Sequence, residues 1–69
     1  MTQKEMVIDF IRENGSITTW QAFTELGITR LAARIADIEK DAGRDVISRE
    51  TVTRKNKYGK TVSFTRYWF

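Results

Sequence analysis

The chain has 69 residues, 30% charged and 41% hydrophobic, with a net charge of +3. That length holds one domain at most, and a domain so small hides only about 60% of the surface its unfolded chain exposes, so the core is modest. With no cysteine and no histidine, disulfide frameworks, thiolate or imidazole metal sites and Cys- or His-based catalysis are excluded, and no metal or other cofactor is expected. No apolar run approaches the ~20 residues that span a bilayer, and the polar start Thr2-Gln3-Lys4-Glu5 is unlike a signal peptide, so a cytoplasmic protein without a membrane partner is expected.

Met6, Val7, Phe10 and Ile11 recur at helical spacing opposite Lys4, Glu5, Asp9, Arg12 and Glu13, which predicts an amphipathic first helix. Thr2 with Glu5 three residues on makes a capping box at its start, and Asn14-Gly15 stops it. After a short extended link at Ser16-Ile17, Thr18 with Gln21 makes a second capping box. Trp20, Ala22, Phe23 and Leu26 give that helix its apolar residues, and Gly27 ends it. Thr29 stands where the cap of a third helix is expected, with Leu31, Ala32, Ile35 and Ile38 as its buried face and Gly43 as its end. Leu26-Gly27-Ile28-Thr29 is thus a short glycine-containing turn between two helices, the connection of a helix-turn-helix.

Beyond Gly43 the period falls toward two. Val46 to Thr53 and Thr61 to Trp68 read as two strands of a hairpin around Lys55-Asn56-Lys57-Tyr58-Gly59-Lys60. Both alternations mix apolar and polar residues, which leaves the inward face open, and Ile17 can add a third short strand. The expected architecture is α+β: three helices with a helix-turn-helix, then a C-terminal β-hairpin wing, as a single domain over 1–69.

Charge is unevenly divided. Residues 1–41 hold five Lys/Arg against seven Asp/Glu, whereas residues 42–69 hold seven Lys/Arg against Asp45 and Glu50, a local excess of +5. An acidic partner is implied for the C-terminal part.

Three blocks carry a resemblance to a known family: Gly15-Ser16-Ile17-Thr18-Thr19, then Glu25 to Ile35 (ELGITRLAARI), then Tyr58-Gly59-Lys60-Thr61-Val62-Ser63-Phe64. Together they make the chain resemble the winged helix-turn-helix superfamily, and within it the short helix-turn-helix proteins of bacteriophages and prophages. The resemblance implies binding of double-stranded DNA through the third helix and the wing, inside a bacterial host cell. Some relatives in the superfamily bind proteins instead, so a phage-encoded module or inhibitor acting on a host or phage protein is the alternative.

With Leu31, Ala32, Ile35 and Ile38 inward, the helix over 30–42 leaves Arg30, Ala33, Arg34, Asp37 and Lys40 outside. Arginines at i and i+4 repel by a few tenths of a kcal/mol, a cost that contact with a DNA groove would explain. Recognition helices reach base edges with their N-terminal residues, and Arg is the commonest bidentate reader of guanine. The plainer alternative pairs Arg34 with Asp37 or Asp41 and leaves Arg30 solvated. Asp37, Glu39 and Asp41 restrict groove entry to the first two turns, where Ala33 permits close approach.

Thr29 joins this set. Arg54, Lys55, Lys57 and Lys60 crowd the hairpin tip, either as phosphate contacts or as a solvated, edge-protecting turn. Thr19 and Gln21 lie at the amino end of the second helix, where free N–H groups suit a phosphate. Trp20, Phe23, Phe64 and Trp68 can stack on bases in principle, but in a domain this small they are expected in the core. The ending Tyr67-Trp68-Phe69 either closes the core or buries against a second copy; a homodimer would place two helices on half-sites one turn of DNA apart. No paired carboxylates or glycine-rich phosphate loop suggest an enzyme.

Overall fold

The computed structural model describes residues 1–69. Its first helix, α1, spans Gln3–Asn14. Thr2 Oγ1 accepts from Glu5 N at 3.1 Å, and Glu5 Oε1 accepts from Thr2 N at 3.0 Å, so two backbone donors at the helix start are satisfied reciprocally. At its other end the N–H of Gly15 donates to Ile11 O at 2.7 Å.

A two-residue strand, β1 (Ile17–Thr18), leads directly into α2 (Thr19–Leu26). The second capping box is present as well: Thr18 Oγ1 accepts from Gln21 N, and Gln21 Oε1 from Thr18 N, each at 3.0 Å. Gly27 ends α2 at φ 67° and ψ 21°, a left-handed conformation that a side chain would strain. In that conformation the Gly27 N–H donates to Phe23 O and the Ile28 N–H to Ala22 O, which covers carbonyls the helix end would otherwise leave bare.

The next helix, α3, spans Leu31–Ala42 and starts one residue later than the sequence suggested. Arg30, not Thr29, holds the cap position, and it makes no side-chain cap hydrogen bond. Bringing Ile28 into the core (1% exposed) carries the chain past Thr29 before the helical turn begins. A single 3-10 turn at Arg44–Val46, unanticipated from sequence, joins α3 to the hairpin.

The hairpin pairs β2 (Ser48–Lys55) with β3 (Thr61–Trp68), in a register that sets Ser48 against Trp68 and Lys55 against Thr61. On the other side of β3, Ile17 pairs with Tyr67, giving the sheet order β1-β3-β2. The three helices, β1, β3 and the links at Ile28 and Ile47 converge on ten buried residues: Val7, Ile11, Ile17, Ala22, Ile28, Leu31, Ile35, Ile38, Ile47 and Tyr67. Tyr67 therefore closes the core, while Phe69 remains about half exposed.

Two expectations about α3 need correction. Leu31, Ile35 and Ile38 are buried as expected, but Ala32 is exposed and Ala33 is half-buried. The apolar stripe is set by the three large residues, and the helix turns its Arg34 side toward α1, where Arg34 Nη1 donates to Gln3 Oε1 at 3.5 Å. An alanine costs little on either side, so Ala32 is left out.

The mixed strand alternation is also explained. At the base of the hairpin Ile47 and Tyr67 are buried, whereas farther out the half-buried pair is Val52 and Phe64, which belong to the opposite face of the ribbon. Each face is covered over a different stretch.

Loss of a cap hydroxyl in so small a domain is measurable. Thr18→Ala should cost about 1 kcal/mol, which lowers the melting temperature by roughly 4–8 °C for a domain of this size. Calorimetry or thermal circular dichroism checks this; an unchanged melting point would mean the second box carries no stability.

The first box is sensitive to acid. The Glu5 carboxyl is held below its ordinary value of 4.5, chiefly by the backbone N–H of Thr2 and then by the Thr2 hydroxyl. The contribution of its ionised form is therefore complete above that ordinary value and disappears as pH falls through the lowered one. Glu5→Gln should accordingly melt with a weaker dependence on pH than the wild type below 4.5, and parallel curves for the two proteins would refute the assignment.

Candidate nucleic-acid interface

The wing is built by one asparagine. Asn56 Oδ1 accepts from the backbone N–H groups of Tyr58 (2.9 Å) and Lys60 (3.1 Å), and the Asn56 N–H donates to Lys60 O at 2.9 Å. Gly59, at φ 77°, supplies the left-handed residue that lets the chain return. This small polar frame holds Lys55, Lys57 and Lys60 at the tip, all exposed and none in an ion pair; Lys57 Nζ lies 5.2 Å from the centroid of the Tyr58 ring. Arg54, on the rising strand, is exposed and unpaired as well.

Ion pairing divides the charges of α3 from those of the wing. All three carboxylates of α3 are engaged: Asp37 with Arg34, Glu39 with Arg49 of β2 at 2.6 Å, and Asp41 with Lys4 of α1. Glu50 is engaged by Arg66 across the hairpin. Surface pairs of this kind contribute about 0–1 kcal/mol each to stability. Their greater effect is on the field: the acids that would repel a phosphate beside α3 are each balanced locally, while Arg30, Arg54, Lys55, Lys57 and Lys60 keep their charge unopposed.

The two arginines of the helix start differ. Arg30 is exposed at the cap position, without an ion pair or a side-chain hydrogen bond. Arg34 is half-buried; its Nε is enclosed 3.3 Å from Asp37 Oδ2, out of line for a hydrogen bond, and its Nη1 reaches Gln3. The sequence alternative that pairs Arg34 with Asp37 is the one observed. With Ala33 half-covered, the small residues left open in the first half of α3 are Ala32 and Ala36.

At the start of α2, Gln21 is half-buried and its carbonyl oxygen is committed to the capping box. Thr19 is exposed, its hydroxyl 3.5 Å from Thr65 O of β3. Thr29 is exposed in the turn before α3.

Thr19, Thr29 and Arg54 meet in one place. A groove of about 850 Å³ separates α2 from the hairpin, lined by Thr19, Trp20 and Phe23, by Thr29, and by Arg54, Asn56, Val62 and Phe64 of the wing. Sequence reasoning assigned Trp20 and Phe23 to the core. They are 65% and 54% exposed, their ring centroids 6.5 Å apart, and Val62 faces solvent too. Only Ala22 of α2 is fully buried, so the helix sets its large aromatics outside.

Three helices, the short Gly27 turn and a cationic hairpin on the far strand are the parts of a wing beside a helix-turn-helix. A family model described as a winged helix-turn-helix domain matches residues 2–69. The chain belongs to this family. Winged helix-turn-helix domains are, in general, DNA-binding modules, and this one carries exposed, unpaired cations at the start of α3 (Arg30) and on the wing (Arg54, Lys55, Lys57 and Lys60). No curated protein and no solved structure matches the chain. No helix is long and apolar enough to cross a membrane.

The wing geometry depends on Asn56 more than on any lysine. Asn56→Ala removes the acceptor for two backbone donors, and it should accelerate amide hydrogen exchange at Tyr58 and Lys60 at least tenfold while leaving exchange in α1 unchanged. Equal exchange rates at the tip in both proteins would show that the turn stands without it.

Proposed function

We propose that this winged helix-turn-helix domain binds double-stranded DNA, with the first turns of α3 in the major groove and the 54–60 wing on the phosphate backbone. Its biological setting is that of a phage or prophage transcriptional regulator or recombination accessory factor, acting in the cytoplasm of a bacterial host, as its resemblance to short phage proteins implies. One observation carries the reading: the carboxylates of α3 are paired off, whereas Arg30 and the wing cations are not.

In this reading Arg30 is the foremost candidate to meet a base edge, since its guanidinium is free and stands at the helix start. Arg34 reads a base only on leaving Asp37 and Gln3, so it ranks second. Thr19 and Thr29 are candidates for phosphate contact from either side of the groove mouth, and Gln21 retains its amide NH₂ for the same purpose. Ala33, half-covered by its neighbours, is a weaker candidate for groove contact than Ala32 or Ala36. Arg54, Lys55, Lys57 and Lys60 provide the part of the affinity that does not depend on sequence.

With Arg30 these make five unpaired cations, which predict that log affinity for a duplex falls with log salt at a slope of about −4 to −5. Lys57→Ala should flatten that slope by about one and weaken all sequences alike, whereas Arg30→Ala should cost about 1–3 kcal/mol on a selected preferred sequence and less on others. Selection from a random duplex pool followed by titration at several salt concentrations measures both. A flat salt dependence would end the DNA reading, and a uniform loss for Arg30→Ala would end its base-reading role alone.

A further inference from the structure

The groove between α2 and the wing holds more apolar surface than phosphate contact requires. Trp20 and Phe23 turn their rings outward on one wall, and Val62 and Phe64 form the other. Trp20 and Phe23 keep more than half of their surface in water, so they stabilise the folded monomer less than buried rings would. Their rings are tilted by 35° at 6.5 Å, open rather than closed on one another. The groove contains no carboxylate; its one charged lining residue is Arg54, which has no ion-pair partner, and the hairpin tip that follows it in the chain carries the further unpaired charges of Lys55, Lys57 and Lys60.

We propose that this groove binds an unpaired nucleobase, stacked on Trp20 and Phe23, with Arg54 on the adjoining phosphate and Thr29 at the mouth. The inference rests on the reading that the wing meets nucleic acid. Its chemistry is that of single-strand platforms, in which aromatic faces take bases of any identity and cations follow the backbone. A groove of about 850 Å³ lies within the range of sites that bury small ligands. A peptide with apolar side chains would satisfy the aromatic walls but leave Arg54 without a counter-charge. A nucleotide matches both the flat apolar surface and the unopposed positive charge.

The consequence is a preference among DNA structures. A base inside an intact duplex must first be unstacked, which costs a few kcal/mol, whereas a base beside a gap, bulge or overhang is available without that cost. The domain therefore favours duplex DNA that carries a short unpaired stretch next to the wing footprint.

The test uses the full chain with three probes: a blunt duplex, the same duplex with a three-nucleotide gap, and a twelve-residue oligothymidine. The wild type should bind the gapped duplex at least tenfold tighter than the blunt one. Trp20→Ala should remove that preference while changing blunt-duplex affinity less than twofold, with an unaltered melting temperature as the folding control. Because the chain has two tryptophans, Trp68→Phe isolates Trp20, whose fluorescence should be quenched on adding oligothymidine.

Equal affinity for gapped and blunt duplexes overturns the base site and leaves duplex binding standing. Failure to bind the blunt duplex, with quenching of Trp20 by oligothymidine retained, overturns the duplex reading and keeps the base site. Concentration-dependent dimerisation lost in Trp20→Ala, without any gap preference, assigns the groove to a second copy and overturns the proposal.

Discussion

A two-residue strand holds the domain together. Ile17, fully buried, pairs with Tyr67, and with the neighbouring Thr18–Arg66 pair this rung joins the link between α1 and α2 to the last strand of the chain. Without it the hairpin would be a two-stranded ribbon attached at one end, and such ribbons are marginal in water. With it, β3 has neighbours on both edges and the ten-residue core receives Tyr67 from the sheet against Ile11, Leu31 and Ile35 from the helices. The reach of the wing, and the groove it encloses with α2, both follow from where that rung places β3.

Electrostatics then separates structural from available charge. Lys4–Asp41 and Arg34–Asp37 lie where α1 meets α3, and Arg49–Glu39 ties the hairpin base to the same helix. Arg49 also lies 5.5 Å from the Tyr67 ring centroid, so one guanidinium addresses both a carboxylate and a core aromatic. These cations are used within the fold. Of the eight left over, five stand at the cap of α3 and along the outer half of the wing, and Arg12, Lys40 and Arg44 lie elsewhere; net charge, which counts all twelve Lys/Arg alike, cannot make that division.

What the sequence makes legible is local. Both capping boxes and the glycine stops at 15 and 27 depend on residues within a few positions of one another, and each stands where the spacing puts it; the turn before α3 runs one residue longer, and the first strand of the hairpin is Ser48–Lys55 rather than Val46–Thr53, because Arg44–Val46 is taken up by the 3-10 turn. What it hides is tertiary. Ala32 and Ala33 fit either side of a helix, so the phase of α3 near its start is fixed only by α1 packing beside Arg34. The strand faces are ambiguous in sequence because the ribbon is covered on different faces at its base and farther out. For Arg34 the sequence leaves open a groove contact or a pair with Asp37 or Asp41, and it gives no sign of Gln3, thirty-one residues away, which also approaches it. Trp20 and Phe23 pass for core residues because large apolar side chains on a short helix usually are.

That last failure is informative because it concerns energy rather than geometry. Burying an aromatic ring is among the largest single stabilising terms open to a small domain, at about 25 cal/mol per Å² removed from water. This chain has only ten buried residues, yet it leaves two of its largest side chains outside. A polar residue at either position would preserve the capping box, the Gly27 turn and the core, none of which uses those rings. Folding thus supplies only part of a reason for them to be aromatic, since more than half of each remains in water. Their positions, beside an unpaired arginine in a groove free of carboxylates, place the rest of the reason in what the groove receives. A protein kept only marginally above its stability threshold can carry such a cost where binding offsets it.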